Sequence, residues 1–391
     1  MEEKNKVDML NILRFIAFMA IFLLHSKIFI PVNWNENFKY AWLLYTPAWA
    51  GTWIFFILSG YGIGCGFYSG KYELSLKGII RFYVKRIVSV LPIYYLFVVA
   101  ISIFIVPEIL VPSREHIVYL LKLLLFDYQA EFYGTEFGLA WYMTTLMRLY
   151  LVAPIGCLLI NRLVKSKKAI YVSLLIIIAI GLAARCFMKY YISLTNSGDW
   201  SSSVYTPFYF NIDLFFAGML ISCLRKYVRG GGVTGRFPRF ASLFAMFMLI
   251  IVNSYLYYVS TYCGSNYLYL YMYIFPSIYI IVTCLYIYIF EVNRNFKSTA
   301  LSIQELKKNP MRIFDYFQKI QFSVYLFHSI VLYQLAKVYN YEFYEKICIL
   351  LKIPLEKYNF AIGCLFTLIA FSVSVIWAIV LYVYSKPKER R

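Results

Sequence analysis

Long apolar blocks divide this sequence, and they restrict its fold more than any other feature. Each block has the length that a helix needs to cross the hydrocarbon core of a bilayer. With 62% hydrophobic and only 15% charged residues, the chain is also more apolar than a water-soluble domain of its size needs to be. We therefore predict an all-α, polytopic transmembrane helical bundle. Its ten helices fall at about 7–30, 40–67, 87–106, 139–160, 169–188, 207–224, 238–259, 266–290, 320–338 and 359–384.

Basic residues concentrate in alternate loops, which orients the bundle. They gather at the N-terminus, after the second, fourth, sixth and eighth blocks, and at the C-terminus, whereas most acids lie in the other loops. The positive-inside rule then places both termini in the cytoplasm. This arrangement also accounts for the net charge of +19, so we expect a lipid bilayer as a partner and no nucleic acid. The first block is too long for a removable signal peptide and has no small-residue cleavage site, so we expect it to be retained.

The first block carries two polar residues that a membrane helix accepts only at a cost. Arg14 and His25 are eleven positions apart, or three turns plus about 20°, so they share one face of a helix. Along the axis they are separated by about 16 Å. Taken singly, Arg14 could snorkel to the headgroups and His25 could be a structural hydrogen-bonding residue. Together they favour a polar path through the bundle.

Other blocks add ionisable groups within apolar sequence. Such groups are functional candidates that face the bundle interior. The fourth block contains Arg148, the sixth contains Asp213 and the ninth contains a second histidine, His328. The third opens with cations ahead of Pro92, and the second carries closely spaced glycines that permit close helix approach.

Cysteine and metal chemistry receive little support from the sequence. Most cysteines lie in apolar helix sequence and no CxxC pair exists; Cys263 and Cys348 fall in or near external loops and could pair, but buried free thiols fit better. The three histidines lack the spacing of a zinc site, so we expect no metal.

In their order, these segments resemble the membrane-bound acyltransferase 3 family, which includes bacterial O-acetyltransferases of cell-surface glycans. That family's first helix carries Arg, ten residues and then His, as Arg14 and His25 do. Its second helix reads FFxLSG[YF], which residues 55–61 match. The further matches follow in order along nearly the whole chain: Lys85, Arg86, Pro92, Tyr94, Tyr95, Trp141, Tyr150, Pro154, Asn211, Asp213, Phe216, Gly218, Ser323, Tyr325, Leu326 and His328.

The chain also departs from the family pattern at several positions. Ser89 stands where the third helix of the family has a second Arg, and Arg148 replaces a neutral polar residue. Leu146 and Met147 occupy the place of an acidic pair, and Asn211 that of the commoner Arg. We expect one transmembrane acyltransferase domain over 1–391, without a fused esterase-like domain after the tenth helix.

The resemblance implies a multi-pass enzyme of the bacterial inner membrane that transfers an acetyl group from acetyl-CoA to a hydroxyl of a cell-surface glycan or lipid-linked sugar. An alcohol loses its proton as it attacks a thioester, and a histidine suits the general base, for which we select His25. The phosphates of a cytoplasmic donor need cations at the inner face. The candidates are His25, His328 and Asp213 for catalysis, Arg14, Arg86, Lys85 and Arg81 for the donor, and Ser59, Tyr61, Trp141, Arg148, Tyr150 and Tyr325 for substrate.

Two other functions compete with this interpretation. Buried Arg, Asp and His beside broken helices are also expected in an exporter of a polysaccharide or lipid-linked sugar. A purely structural membrane scaffold is the third alternative. The acceptor, the acyl chain of the donor and the oligomeric state stay open at this point.

Overall fold

The computed structural model describes residues 8–29, 48–127, 138–196, 200–227, 236–262, 270–290, 313–338, 341–352 and 359–385. Within these ranges the secondary structure is helical and contains no strand, which confirms the all-α prediction. Short 3-10 or π turns accompany the α-helices at 26–29, 107–110, 201–205, 208–210 and 270–274. The α-helices are α1 (Met9–His25), α2 (Ala48–Tyr68), α3 (Leu76–Phe104), α4 (Arg114–Leu124), α5 (Ala140–Leu163), α6 (Lys167–Thr195), α7 (Ile212–Tyr227), α8 (Arg236–Tyr262), α9 (Phe275–Phe290), α10 (Ile313–Val338), α11 (Tyr341–Leu351) and α12 (Asn359–Ser385).

Eight of the described helices are long and apolar enough to cross a membrane, so the chain is a multi-pass membrane protein. The 21 residues of α2 extend over about 31 Å, which matches the hydrocarbon core. Two predicted blocks fall on helices outside this set. Helix α7 has only 16 residues, and α10 carries polar groups such as Asp315 and Gln321. The count of ten and the cytoplasmic termini stay predictions, and 1–7 and 386–391 lie outside the described residues.

Several segments that lie between the predicted blocks also contain helix. Helix α4 lies within 107–138, α11 lies within 339–358, and α6 continues to Thr195 inside 189–206. The cations between 77 and 86 stand on α3 itself, because that helix begins at Leu76, well before the predicted block. Between the eighth and ninth predicted blocks, residues 291–312 lie outside the described residues. Cys263 also lies outside them, so the pairing of Cys263 with Cys348 stays a prediction.

The chain divides into two compact units. The first comprises 1–48, 93–117 and 299–391. Within it, α10 packs against both α1 and α12. The seam is aromatic: Phe18 of α1 lies 5.4 Å from Phe317 of α10 and 6.4 Å from Phe371 of α12, between ring centroids. Contacts between large aromatic rings, one from each helix, therefore hold these three helices together.

The second unit comprises 49–92 and 118–298 and contains a close approach of α2 and α7. A Cβ atom at Gly60 would overlap the carbonyl group of Phe215, and one at Gly218 would overlap the carbonyl oxygen of Ile57. Glycine lets two helix backbones approach to this degree, which increases van der Waals contact where lipid supplies no hydrophobic drive between helices. The predicted close approach of the glycines in the second block is therefore confirmed at Gly60, and Gly218 of α7 takes part in the same approach.

Gly60→Ala should destabilise the protein, and Gly62→Ala should not. The added methyl group at Gly60 meets backbone that cannot move away without separating α2 from α7, so we expect a loss of about 1–3 kcal/mol. A Cβ at Gly62 has nothing within 4 Å, and alanine is the better helix former by up to about 1 kcal/mol. Thermal unfolding of both variants in detergent provides the measurement. Equal midpoints for the two variants would contradict the close approach.

Candidate active site

Helix α1 carries the two polar residues that the sequence singled out. It starts at an N-cap, where the Asp8 carboxylate accepts a hydrogen bond from the backbone N–H of Leu10 at 2.9 Å. Arg14 and His25 both stand on this one continuous helix, with His25 as its last residue. The predicted separation of about 16 Å along the axis therefore applies to the folded chain.

Arg14 is held by side chains near the start of α1 and α10. Its guanidinium donates to Oδ1 of Asn11 at 2.7 Å, and the Asn11 amide donates to Asp315 at 2.9 Å. The Gln321 amide in turn donates to the backbone carbonyl of Arg14 at 3.1 Å. Asparagine thus links the cation to a carboxylate on the neighbouring helix, which lowers the cost of a charge in an apolar span.

His25 meets His328 from α10. Nδ1 of His25 and Nε2 of His328 are 2.8 Å apart, and the ring planes differ by only 6°. The ring centroids are 5.1 Å apart, which equals the N–N distance plus about one ring radius at each end, so the rings meet edge to edge and do not stack on their faces. His328 is fully buried, whereas His25 is half-buried. The structure thus brings together both predicted histidines.

The hydrogen bonds fix which ring nitrogen carries each proton when both rings are neutral. Nδ1 of His328 lies 2.6 Å from the backbone carbonyl of Tyr325, and a carbonyl oxygen only accepts. Nδ1 of His328 therefore carries the proton, and its Nε2 accepts from Nδ1–H of His25. Nε2 of His25 is left with a lone pair, and no hydrogen bond reaches it in the described part of the chain.

A second cluster of predicted residues lies in the second unit, around Tyr150. The Arg86 guanidinium carbon is 5.4 Å from the Tyr150 ring centroid, a distance at which the cation and the ring attract each other. The Ser59 side chain of α2 lies beside both Tyr150 and Tyr142. Arg81 and Lys85, by contrast, are exposed on α3. Of the three predicted donor cations on α3, the structure therefore places only Arg86 among buried side chains.

Asp213 takes part in a buried ion pair that the sequence analysis did not include. Its Oδ2 accepts from Arg185 of α6 at 2.6 Å, and the two side chains are 8% and 2% exposed. The Arg185 guanidinium also donates to Ser277 and to the carbonyl of Phe210, both at 3.1 Å. The sequence did offer one signal for Arg185, because it is a cation within the fifth apolar block. Its partner could not be inferred in the same way, because Asp213 lies on another helix.

The remaining predicted residues have different surroundings. Trp141 packs on Tyr205 with ring centroids 4.5 Å apart, and Tyr205 also shares a 2.8 Å hydrogen bond with Thr52. Burial raises the pKa of the Tyr205 hydroxyl.

Arg148 forms an ion pair with Asp127 at 2.8 Å, in which both side chains are over 40% exposed. Tyr61 is buried beside Gly218. Among the described residues, no three His, Cys, Asp or Glu side chains are grouped so that they could hold a metal ion.

Comparison with known proteins adds one match. A family model described as an acyltransferase domain, that of the acyltransferase 3 family, matches residues 7–383. No curated protein and no solved structure matches the chain.

Proposed function

The chain belongs to the acyltransferase 3 family, and on that premise we propose that it transfers an acyl group, acetyl in the first instance, from cytoplasmic acyl-CoA to a hydroxyl of a cell-surface glycan or lipid-linked sugar. The family supports a membrane acyltransferase. The observation that carries the rest is the edge-to-edge pair of His25 and His328, which leaves a lone pair on Nε2 of His25.

In the proposed step, Nε2 of His25 takes the proton of the acceptor hydroxyl as its oxygen attacks the thioester carbonyl. A C–O bond forms, the C–S bond breaks and CoA leaves as a thiolate, which receives the proton from His25. As His25 becomes cationic, its Nδ1–H bond to His328 strengthens. His328 acts as a positioning residue, because its own bond to the Tyr325 carbonyl fixes its ring.

Donor binding in this proposal begins at the other end of α1. Arg14 is already oriented by Asn11 and offers a planar fork for phosphate. From there to His25 is about 16 Å, roughly the reach of the pantetheine arm of CoA. Arg86, Lys85 and Arg81 are the further proposed phosphate contacts. Ser59, Tyr61, Trp141, Arg148, Tyr150 and Tyr325 stay proposed substrate contacts, and Asp213 a proposed catalytic residue.

Release of CoA distinguishes the proposed acyltransferase from the alternative function, an exporter. Purified full-length protein in detergent, given acetyl-CoA and a mixture of simple sugars, should release CoA faster than a His25→Ala sample of equal concentration. Because the chain itself holds eight cysteines, CoA is measured by chromatography and not with a thiol dye. If both samples release CoA at the same rate, the transferase proposal fails and an exporter becomes the better account.

A further inference from the structure

Asp315 of α10 stands at the end of a chain of hydrogen bonds that leads to Arg14. Its carboxylate accepts from the Asn11 amide at 2.9 Å, and Oδ1 of Asn11 accepts from the Arg14 guanidinium at 2.7 Å. All three residues belong to the first unit, which also contains His25. The proposed transfer step does not itself require a carboxylate at position 315, so its place in this chain calls for a separate account.

The chemistry of the three groups makes the asparagine the necessary link. A guanidinium only donates hydrogen bonds, and an ionised carboxylate only accepts them. An amide does both, because its oxygen accepts and its nitrogen donates. Asn11 can therefore bond Arg14 and Asp315 at the same time, whereas Asn11→Asp would set two carboxylates against each other.

Packing between α1 and α10 holds this chain in place. Asn11 is buried, and a buried amide costs free energy unless its polar atoms are bonded. One turn further along α1, Phe15 contacts Phe314 and Phe317 of α10, with ring centroids 5.0 Å apart in each case. The hydrogen bond between Asn11 and Asp315 is therefore part of a packed contact between the two helices.

We propose that Asp315 is a positioning residue for the acyl-CoA donor, and that it acts through Asn11 to orient the guanidinium of Arg14. This inference rests on the proposed function. A planar guanidinium meets two phosphate oxygens at once only when its plane is correctly set. The Gln321 amide, which bonds the backbone carbonyl of Arg14 at 3.1 Å, restricts the same residue from its other side. Bonds that orient Arg14 before the donor arrives increase affinity, because less side-chain entropy is lost on binding.

The effect of Asp315 should fall on donor affinity and not on the chemical step. Asn11 and His25 are 14 positions apart on α1, or about 21 Å along the axis. A substitution at Asp315 therefore leaves the contact between His25 and His328 in place. We expect a change in KM for the donor without a matching change in kcat, which a general loss of structure would not produce.

Equilibrium binding of CoA and the kinetics of CoA release test this role on the full-length protein in detergent. Asp315→Leu and Asn11→Leu should each weaken CoA binding and raise KM for acetyl-CoA about 10-fold, with kcat at saturating donor close to that of the wild type. Asp315→Asn keeps an oxygen that accepts from the Asn11 amide, so it should bind CoA nearly as tightly as the wild type does.

Gln334→Leu is the matched control. It removes a different hydrogen bond that α10 makes within the first unit, in which the Gln334 amide donates to the backbone carbonyl of Phe104 at 2.6 Å. It should leave CoA affinity, KM and kcat unchanged. Equal losses of affinity in Gln334→Leu and Asp315→Leu would show that any weakened contact of α10 has this effect, and the inference would fail.

A combined substitution tests whether Asp315 acts through Arg14. In a protein that carries Arg14→Met, adding Asp315→Leu should weaken CoA binding no further, because the group that Asp315 orients is already absent. An equal loss of affinity with and without Arg14→Met would mean that Asp315 acts by another route, which would overturn the inference.

The remaining outcomes separate this inference from the proposed function. If Asp315→Leu and Asn11→Leu bind CoA as tightly as the wild type does, the positioning role fails although the proposed function stands. If Asp315→Asn loses as much affinity as Asp315→Leu, the charge matters and the hydrogen bond does not, which also contradicts the inference. If the wild type itself binds no CoA, the proposed function fails together with the inference.

Discussion

Replacing His25 with alanine should lower turnover roughly 100- to 10,000-fold, the usual range for loss of a positioned general base. The substitution removes the only ring nitrogen of the pair that has a lone pair directed away from the other ring. His25→Gln keeps a hydrogen-bonding group but transfers no proton, so it should be nearly as inactive. Initial rates of acyl transfer by purified protein, compared at equal concentration, provide the measurement.

His116 supplies the control for this experiment. It is the third histidine of the chain, lies on α4, and bonds the nearby carbonyl of Val111 at 2.7 Å. His116→Ala should therefore keep turnover near that of the wild type. A similar loss in His116→Ala and His25→Ala would indicate a general effect of removing histidine and would contradict the assignment of the base.

The role of His328 follows from double substitution. If the two rings act as a unit, the variant that combines His25→Ala with His328→Leu should be little worse than either single variant. His328→Gln should retain more activity than His328→Leu, because an amide can both accept from His25 and donate to the Tyr325 carbonyl. Should His25→Gln keep near-normal turnover while His328→Gln abolishes it, the base would be His328.

Arg185→Met should destabilise the protein by about 3–5 kcal/mol, the largest effect on stability that we expect. The substitution leaves the Asp213 carboxylate buried without its cation, since Arg185 and Asp213 are 2% and 8% exposed. Adding Asp213→Leu removes the stranded charge and should restore most of the lost stability. Thermal unfolding in detergent, followed by chromatography of the soluble fraction, compares the three proteins.

The ion pair between Arg148 and Asp127 is the matched control in the same unit. Both of its side chains are over 40% exposed, so Arg148→Met should cost no more than about 1 kcal/mol. Equal losses in Arg185→Met and Arg148→Met would show that burial does not decide the strength of these pairs.

The same pair of substitutions tests whether Asp213 is catalytic. A stable but inactive protein with both Arg185→Met and Asp213→Leu would favour a chemical role for the carboxylate. A stable and active one would limit Asp213 to holding α6 against the start of α7, where its Oδ1 also accepts from the backbone N–H of Leu214. Turnover per folded molecule separates these two results.

Local sequence was sufficient for the long apolar helices and for the register within each of them, but it did not predict the short helices α4 and α11. Apolar blocks as long as a bilayer is thick specify membrane helices, because length and composition are properties of a continuous segment. The positions of Arg14 and His25 on one face likewise depend only on 3.6 residues per turn. Boundaries were less accurate: α3 begins at Leu76, because its first turns are basic and fall outside an apolar block.

The sequence also determined the family, since a set of weak motifs in a fixed order is specific even where each motif alone is not. The family match over 7–383 confirms that identification. Each motif, however, identifies candidate residues within a single helix. They marked His25, His328 and Asp213 without saying which of them would meet, and they passed over Arg185, because no motif includes it.

Only the tertiary structure determines which of these side chains contact one another. His25 and His328 are 303 positions apart, and Arg185 and Asp213 are 28 apart, so neither pair follows from a helical period. Both depend on how separate helices pack: α1 against α10 at the aromatic seam around Phe18 in one unit, and α6 against α7 in the other. The sequence specifies which polar groups enter the membrane; the packing decides which partner satisfies each of them, because in lipid a polar group must find that partner on a neighbouring helix or in its own backbone.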